Sequence, residues 1–235
     1  MNIILSYPRS GNHLTRFFIE LLSEIPTFGC YENPNDIEIY KNIFPEKINF
    51  NIKTDYKKDD CFTKFHYPPK NLNINPNKNK LILILRNPRE VLIRNNGFKL
   101  NITGNSDSYN IYFQNIDYFN NFKGKKLLLY YEDIITNKIN FINKLYEFLS
   151  LNNIEKKNYV LANINKLYEL SKKGKNREWG GVNSNNINFY YKNLPHIFKK
   201  NFDDYLIYKL KDYSFIEEKY KFVWNNKKAF KFKMK

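Results

Sequence analysis

The sequence predicts an α/β protein: a single domain over residues 1–235, built as a doubly wound, mainly parallel sheet flanked by helices. Three observations lead to it. Short strand-like runs, NIIL at Asn2–Leu5, LILIL at Leu81–Leu85 and KLLLYY at Lys126–Tyr131, alternate with longer stretches of helical spacing. Leu81–Leu85 is continuously apolar, as expected of a central parallel strand covered on both faces. Arg9, His66, Arg86 and Tyr131 each fall at or just past a strand end, which is where such sheets hold their ligands. A chain of 235 residues can bury a sizeable core, and 19 Tyr and 20 Phe supply apolar material despite a mean hydropathy of −0.65.

Taken in order, Asn2–Leu5 is a buried strand and Ser6–Asn12, with Pro8, Arg9, Ser10 and Gly11, a tight turn. Leu14, Phe17, Phe18, Leu21 and Leu22 then recur at the spacing of an amphipathic helix. A strand, a small-residue turn and a helix present free backbone N–H groups and a positive helix end to a phosphate, and Arg9 adds a fixed charge there. The Gly-Lys-Ser/Thr signature of ATP and GTP loops is absent. Pro26–Asp60 reads as a loop-rich segment of the kind that shapes a substrate entrance or simply connects elements. Cys61–Phe65 is a strand leading to His66 and stopped by Tyr67-Pro68-Pro69; Asn71–Lys80 is a linker. The strand Leu81–Leu85 ends in Arg86-Asn87-Pro88, and Arg89–Phe98 reads as a helix with Pro88 at its first turn. Ser108–Phe122, Asn140–Leu149, Glu155–Leu170 and Leu194–Lys211 are further helices, Lys172–Asn186 a basic loop, and residues 212–235 close in a basic aromatic tail.

The formal charge of +16 points to anionic ligands, although a composition rich in Lys and Asn gives the same total on an ordinary surface. Arg is more informative. Of 39 basic residues only six are Arg (Arg9, Arg16, Arg86, Arg89, Arg94 and Arg177), gathered in three short places. A planar fork of donors is the property Lys cannot imitate, so bidentate anion recognition is the expected reason for keeping them. Cys30 and Cys61 lack metal-ligand spacing, and a buried free thiol is the ordinary reading of Cys61. With no disulfide framework, signal peptide or bilayer-length run, a cytoplasmic location is expected.

Four motifs in order resemble those of the sulfotransferases that use 3'-phosphoadenosine 5'-phosphosulfate (PAPS), especially the soluble cytosolic and bacterial type. Tyr7-Pro8-Arg9-Ser10-Gly11-Asn12-His13-Leu14 is similar to their YPKSGTTW, and Lys64-Phe65-His66-Tyr67-Pro68 to Lys-x-His-x-Pro. Arg86-Asn87-Pro88-Arg89-Glu90-Val91 resembles Arg-Asn-Pro-x-Asp-Val. Lys172-Lys173-Gly174, followed by Glu178-Trp179, resembles their late Arg-Lys-Gly and Asp-Trp. Tyr131-Glu132-Asp133 matches a Tyr-Glu-Asp at a strand end. The resemblance departs at Arg9 (usually the catalytic Lys), Leu14 (the Trp that stacks on adenine), Arg94 (a Ser near the 3'-phosphate) and Gly180 (commonly Lys).

The resemblance implies a P-loop-like nucleotide-binding fold and in-line transfer of a sulfuryl group from PAPS to a small-molecule or glycan hydroxyl. Adenosine 3',5'-bisphosphate (PAP) would be the product and no metal would be required. It implies His66 as the general base, Arg9 stabilising the leaving phosphate and Lys64 assisting. Ser10, Gly11, Asn12 and His13 would hold the 5'-phosphate, Leu14 would bind on the adenine side in place of the usual Trp, and Arg86, Arg94, Lys172, Lys173 and Gly174 would hold the 3'-phosphate. Tyr131 would reach the adenine, and 26–60 would line the acceptor site. Neither nucleic acid nor a membrane is expected as partner, and no family dimerisation motif is recognisable near the C-terminus. Three other readings stay open: a P-loop small-molecule kinase using Glu132-Asp133 for Mg²⁺, a PAPS-binding homologue without transfer activity, and a basic nucleic-acid-binding protein.

Overall fold

A computed structural model describes residues 1–25, 27–28, 61–70, 72, 74–75, 77–96, 107–173, 189–193 and 195–221. In chain order the elements are β1 (Asn2–Ser6), α1 (Asn12–Ser23), β2 (Thr27–Phe28), β3 (Phe62–Phe65), β4 (Lys80–Leu85), α2 (Pro88–Asn96), α3 (Asp107–Asn121) and β5 (Lys125–Tyr130). There follow α4 (Tyr131–Thr136), α5 (Lys138–Leu149), α6 (Ile154–Ala162), α7 (Ile164–Lys173), α8 (Phe189–Lys192), α9 (His196–Leu210) and α10 (Ser214–Tyr220). Two compact units result, residues 1–86 with 110–183 and residues 87–109 with 184–235.

The first unit contains a sheet in the order β2-β3-β1-β4-β5, with every pairing parallel. It is an α/β structure with its sheet flanked by helices, as the alternation of runs predicts. The apolar strands take the centre: Ile3–Leu5 and Leu81–Leu85 have no exposed surface. Burial of this kind contributes about 1.5–3 kcal/mol per Leu or Ile side chain. Phe17, Phe18, Leu21 and Leu22 of α1 join Ile4, Ile82 and Ile84 and the apolar faces of α5, α6 and α7 in one cluster. From β1 the chain builds one side of the sheet through β2 and β3, then the other through β4 and β5. The reversal falls between β1 and β4, and a crevice opens at the strand carboxyl ends of such a switch point.

The second unit contains α2, the first residues of α3, α8, α9 and α10. Its aromatic contacts include Tyr109 with Phe202 and Tyr205, at 6.3 and 5.7 Å between ring centres. Arg89 of α2 pairs with Asp203 of α9 at 3.1 Å and lies 4.6 Å above the Tyr191 ring. The Tyr191 hydroxyl donates to Asp203 Oδ2 at 2.5 Å, and its N–H to Glu90 Oε2 at 3.3 Å.

Several boundaries differ from the sequence expectation. A strand pair at Thr27–Phe28 lies inside the expected loop Pro26–Asp60. Glu155–Leu170 is two helices rather than one, because Asn163 turns its Nδ2 back to Tyr159 O at 2.9 Å and starts a new N-terminus, its carbonyl accepting from Leu167 N. Lys172 and Lys173 close α7 instead of opening a loop, Lys being a good helix former. Residues 29–60, Gly174, Trp179 and the tail beyond 221 lie outside the described residues.

Candidate functional site

The turn after β1 is where the site begins. Arg9 and Gly11 both have left-handed backbone, at φ 68° and 92°. Such a conformation costs a side-chain-bearing residue roughly 1–2 kcal/mol, and it folds the chain tightly between Ser6 and Asn12. Ser10 N–H closes the turn on Tyr7 O at 3.3 Å, and Asn12 Nδ2 donates to Ser6 Oγ at 2.9 Å. Tyr7 is buried against Tyr112 with its ring edge-on, 6.0 Å between centres. Gly11 starts α1 without a side-chain cap, and no acidic residue occupies the first turn. The amide donors of a helix's first turn have no intrahelical acceptor. Ser10 Oγ is wholly buried with no hydrogen-bond partner among the described residues, and so is Asn12 Oδ1. An uncapped helix start beside an unsatisfied buried hydroxyl is chemistry that suits an anion with several acceptor oxygens. Leu14, partly buried, packs on the core cluster.

β3 supplies the second part. It pairs with β1 in parallel, Leu5 opposite Phe65, so His66 emerges beside Ser6. His66 Nδ1 lies 2.9 Å from Ser6 O, and Asn115 Nδ2 donates to His66 O at 3.1 Å. The ring and the backbone of His66 are thus held by different elements. Lys64 stands two residues earlier, on the same face of the strand and half-buried.

β4 supplies the third. Arg86, nearly buried at 3 % exposure, donates from Nη1 to Arg9 O at 3.0 Å across the switch point. Its guanidinium carbon is 4.3 Å from the centre of the Tyr131 ring, and its own carbonyl accepts from the Tyr112 hydroxyl at 3.0 Å. Burial, with Glu132 and Tyr130 nearby, keeps the Tyr112 phenol protonated well above the usual Tyr range. Tyr131 opens α4 rather than ending β5, and its ring lies against Gly11, where an added Cβ would come within 2.5 Å of Cδ2.

Arg9, Ser10, Gly11, Asn12, His13, His66, Arg86 and Tyr131 therefore gather at the carboxyl ends of β3, β1, β4 and β5. Arg94 lies in the last turn of α2, in the second unit. Lys172 and Lys173 are placed by backbone alone at the end of α7, and Gly174 lies outside the described residues. Arg16 has a different use from the anion recognition expected of its kind. Its Nε and Nη2 donate to Thr27 Oγ1 and O at 2.7 and 3.0 Å, and Glu20 accepts from Thr27 N at 2.8 Å and from its hydroxyl. The sequence does not single out Tyr112 and Asn115: α3 also carries Asn110, Gln114, Asp117 and other polar residues, and nothing in their spacing marks the two that reach the site.

An α/β sheet with an anion-suited turn, a fixed imidazole and a guanidinium at its switch point defines a P-loop-like group-transfer scaffold. Comparison with protein families then specifies the group: the sulfotransferase domain matches residues 2–221, and the chain belongs to that family. It is a transferase of sulfuryl groups. A comparison with curated proteins finds no match. Among the described residues no helix is long and apolar enough to cross a membrane.

Proposed function

We propose that the protein transfers the sulfuryl group of PAPS to a hydroxyl of a small-molecule or glycan acceptor and releases PAP. The observation that carries this reading is the contact of His66 Nδ1 with Ser6 O. A carbonyl oxygen can only accept, so Nδ1 bears the hydrogen and the basic lone pair of the neutral ring is on Nε2. His66 Nε2 takes the acceptor's proton as the acceptor oxygen bonds to sulfur. The bond between sulfur and the 5'-phosphate oxygen breaks, and Arg9 stabilises the negative charge left on that oxygen. Arg9 acts by charge and hydrogen bonds alone, since a guanidinium does not give up its proton near neutral pH. Lys64 adds positive charge on the same strand face.

Ser10, Gly11, Asn12 and His13 hold the 5'-phosphate through the amides that begin α1, supported by the unsatisfied Ser10 hydroxyl. Leu14 follows on the same turn but cannot stack on adenine as an aromatic would. Arg86 binds the 3'-phosphate. Arg94, Lys172, Lys173 and Gly174 are assigned to the same phosphate on motif resemblance alone. The segment 26–60 is assigned to the acceptor.

The deciding experiment is a thermal-shift series with PAP, AMP, ADP and ATP, followed by transfer of labelled sulfate from PAPS with EDTA present. A ligand at 100 times its dissociation constant stabilises by about 2.7 kcal/mol, so selectivity for the 3'-phosphate reads out directly. PAP should stabilise most, and His66→Ala should lose transfer while retaining the PAP shift. Equal shifts with AMP and PAP, or turnover with ATP and Mg²⁺ but none with PAPS, would overturn the proposal.

A further inference from the structure

We propose that Tyr131 is a positioning residue: its ring, rather than its hydroxyl, sets both the backbone of the Arg9–Asn12 turn and the orientation of Arg86. The ring is met both at its edge and over its face. Gly11 approaches the edge, where an added Cβ would sit 2.5 Å from Tyr131 Cδ2 and 3.2 Å from Cε2. Arg86 meets the ring with its guanidinium carbon 4.3 Å from the ring centre. Arg86 Nη1 then returns to the turn and donates to Arg9 O at 3.0 Å. Turn, ring and guanidinium close a loop of contacts, made of residues that follow β1, β5 and β4. Tyr131 thus reaches from β5 past the end of β4 to the turn after β1.

Two left-handed residues, Arg9 and Gly11, are held in that loop. Such backbone persists only where its surroundings over-determine it. A cation over an aromatic face is attracted by the ring itself, and Phe provides the same face. Tyr131 also lies near Tyr168 of α7, whose phenol is raised to about 12 chiefly by desolvation and further by Tyr131. Tyr131 therefore also borders the helix that ends in Lys172 and Lys173. The binding consequence rests on the nucleotide site proposed above; the backbone consequence does not.

The test uses Tyr131→Phe and Tyr131→Leu in the full chain. Hydrogen exchange of the amides of residues 10–14 is read without ligand, and dissociation constants are read for PAP and AMP. Tyr131→Phe should stay within about twofold of wild type in every readout, while Tyr131→Leu should bind PAP about tenfold more weakly and exchange the turn amides faster. A Gly11→Ala substitution should weaken PAP binding more beside Tyr131 than beside Leu, because the strain of a φ of 92° remains in both and only the clash with the ring is lost. Exchange and affinity unchanged in Tyr131→Leu would overturn the proposal. So would an equal loss in Tyr131→Phe, which would give the work to the hydroxyl, or an equal effect of Gly11→Ala in both backgrounds. If wild type fails to bind PAP, the nucleotide reading falls, and the exchange data still judge the role of the ring.

Discussion

His66 makes one bond to the β1 carbonyl through its ring and receives another from Asn115 at its own carbonyl. Its removal therefore touches the chemistry more than the fold. His66→Ala should lower sulfuryl transfer by about 10²–10⁴-fold, the usual worth of a general base, with the PAP dissociation constant nearly unchanged; the two are separated by single-turnover transfer and equilibrium binding. Arg86→Lys is the complementary case. It keeps a charge but loses the fork and the flat face over Tyr131, so PAP affinity should fall while AMP affinity changes little, as read by titration of both ligands. At this scale the sequence was informative where residue type is scarce. One imidazole past a strand and an Arg at each of two strand ends were enough to point to a site. Arg16 shows the limit: its fork is equally rare, yet it grips Thr27 of its own chain. Nothing in a residue's type says whether its anion or acceptor is a ligand or the next strand.

Among the elements, α1 does two things at once. Its first turn opens the anion-suited site, and one turn later Arg16 and Glu20, each 2 % exposed, clamp β2. Arg16→Met would strip Thr27 of both guanidinium donors beside the buried Glu20 carboxylate, and destabilisation of about 3 kcal/mol is expected, measured by urea unfolding. In the second unit, Asp203 is a carboxyl whose pKa is raised above the ordinary 3.8, because its desolvation outweighs Arg89 and Tyr191. The stability it contributes is fully present below the ordinary value and is lost as pH rises through the raised one. Asp203→Asn should flatten that part of the acid stability profile, which denaturant titrations at stepped pH would reveal. Most elements were legible from spacing: the central strands and α1 stand where the apolar pattern puts them. What spacing missed was held by side chains instead. β2 is two residues long and exists through Arg16 and Glu20, while the α6–α7 break depends on one Asn amide. Neither leaves a periodic trace.

For the molecule as a whole, the charge of +16 should act on encounter more than on the bound state. The association rate of PAP should fall several-fold as ionic strength rises past the point where the Debye length drops below about 10 Å, with a much smaller change in dissociation rate; stopped-flow binding at stepped salt measures both. The parallel, helix-flanked sheet followed from alternation, and the candidate site from where such a sheet brings strand ends together; the strand order and its switch point did not, because pairing partners leave no mark on spacing. The acceptor did not, because a hydroxyl demands little of its surroundings beyond room and a base, and neither leaves a fixed spacing. One feature of the sheet's edge bears on this. Thr27 pairs with Phe62 and Phe28 with Thr63, so the chain leaves for residues 29–60 and comes back to the adjacent rung. A detour whose two ends are already neighbours is closed by the sheet itself, and doubling its length would cost only about 0.6 kcal/mol in closure entropy. Lineages carrying this scaffold are thereby free to lengthen, shorten or rewrite that detour, and under the acceptor role proposed for it that freedom would change what is sulfated without touching the turn after β1 or the strand ends beside it.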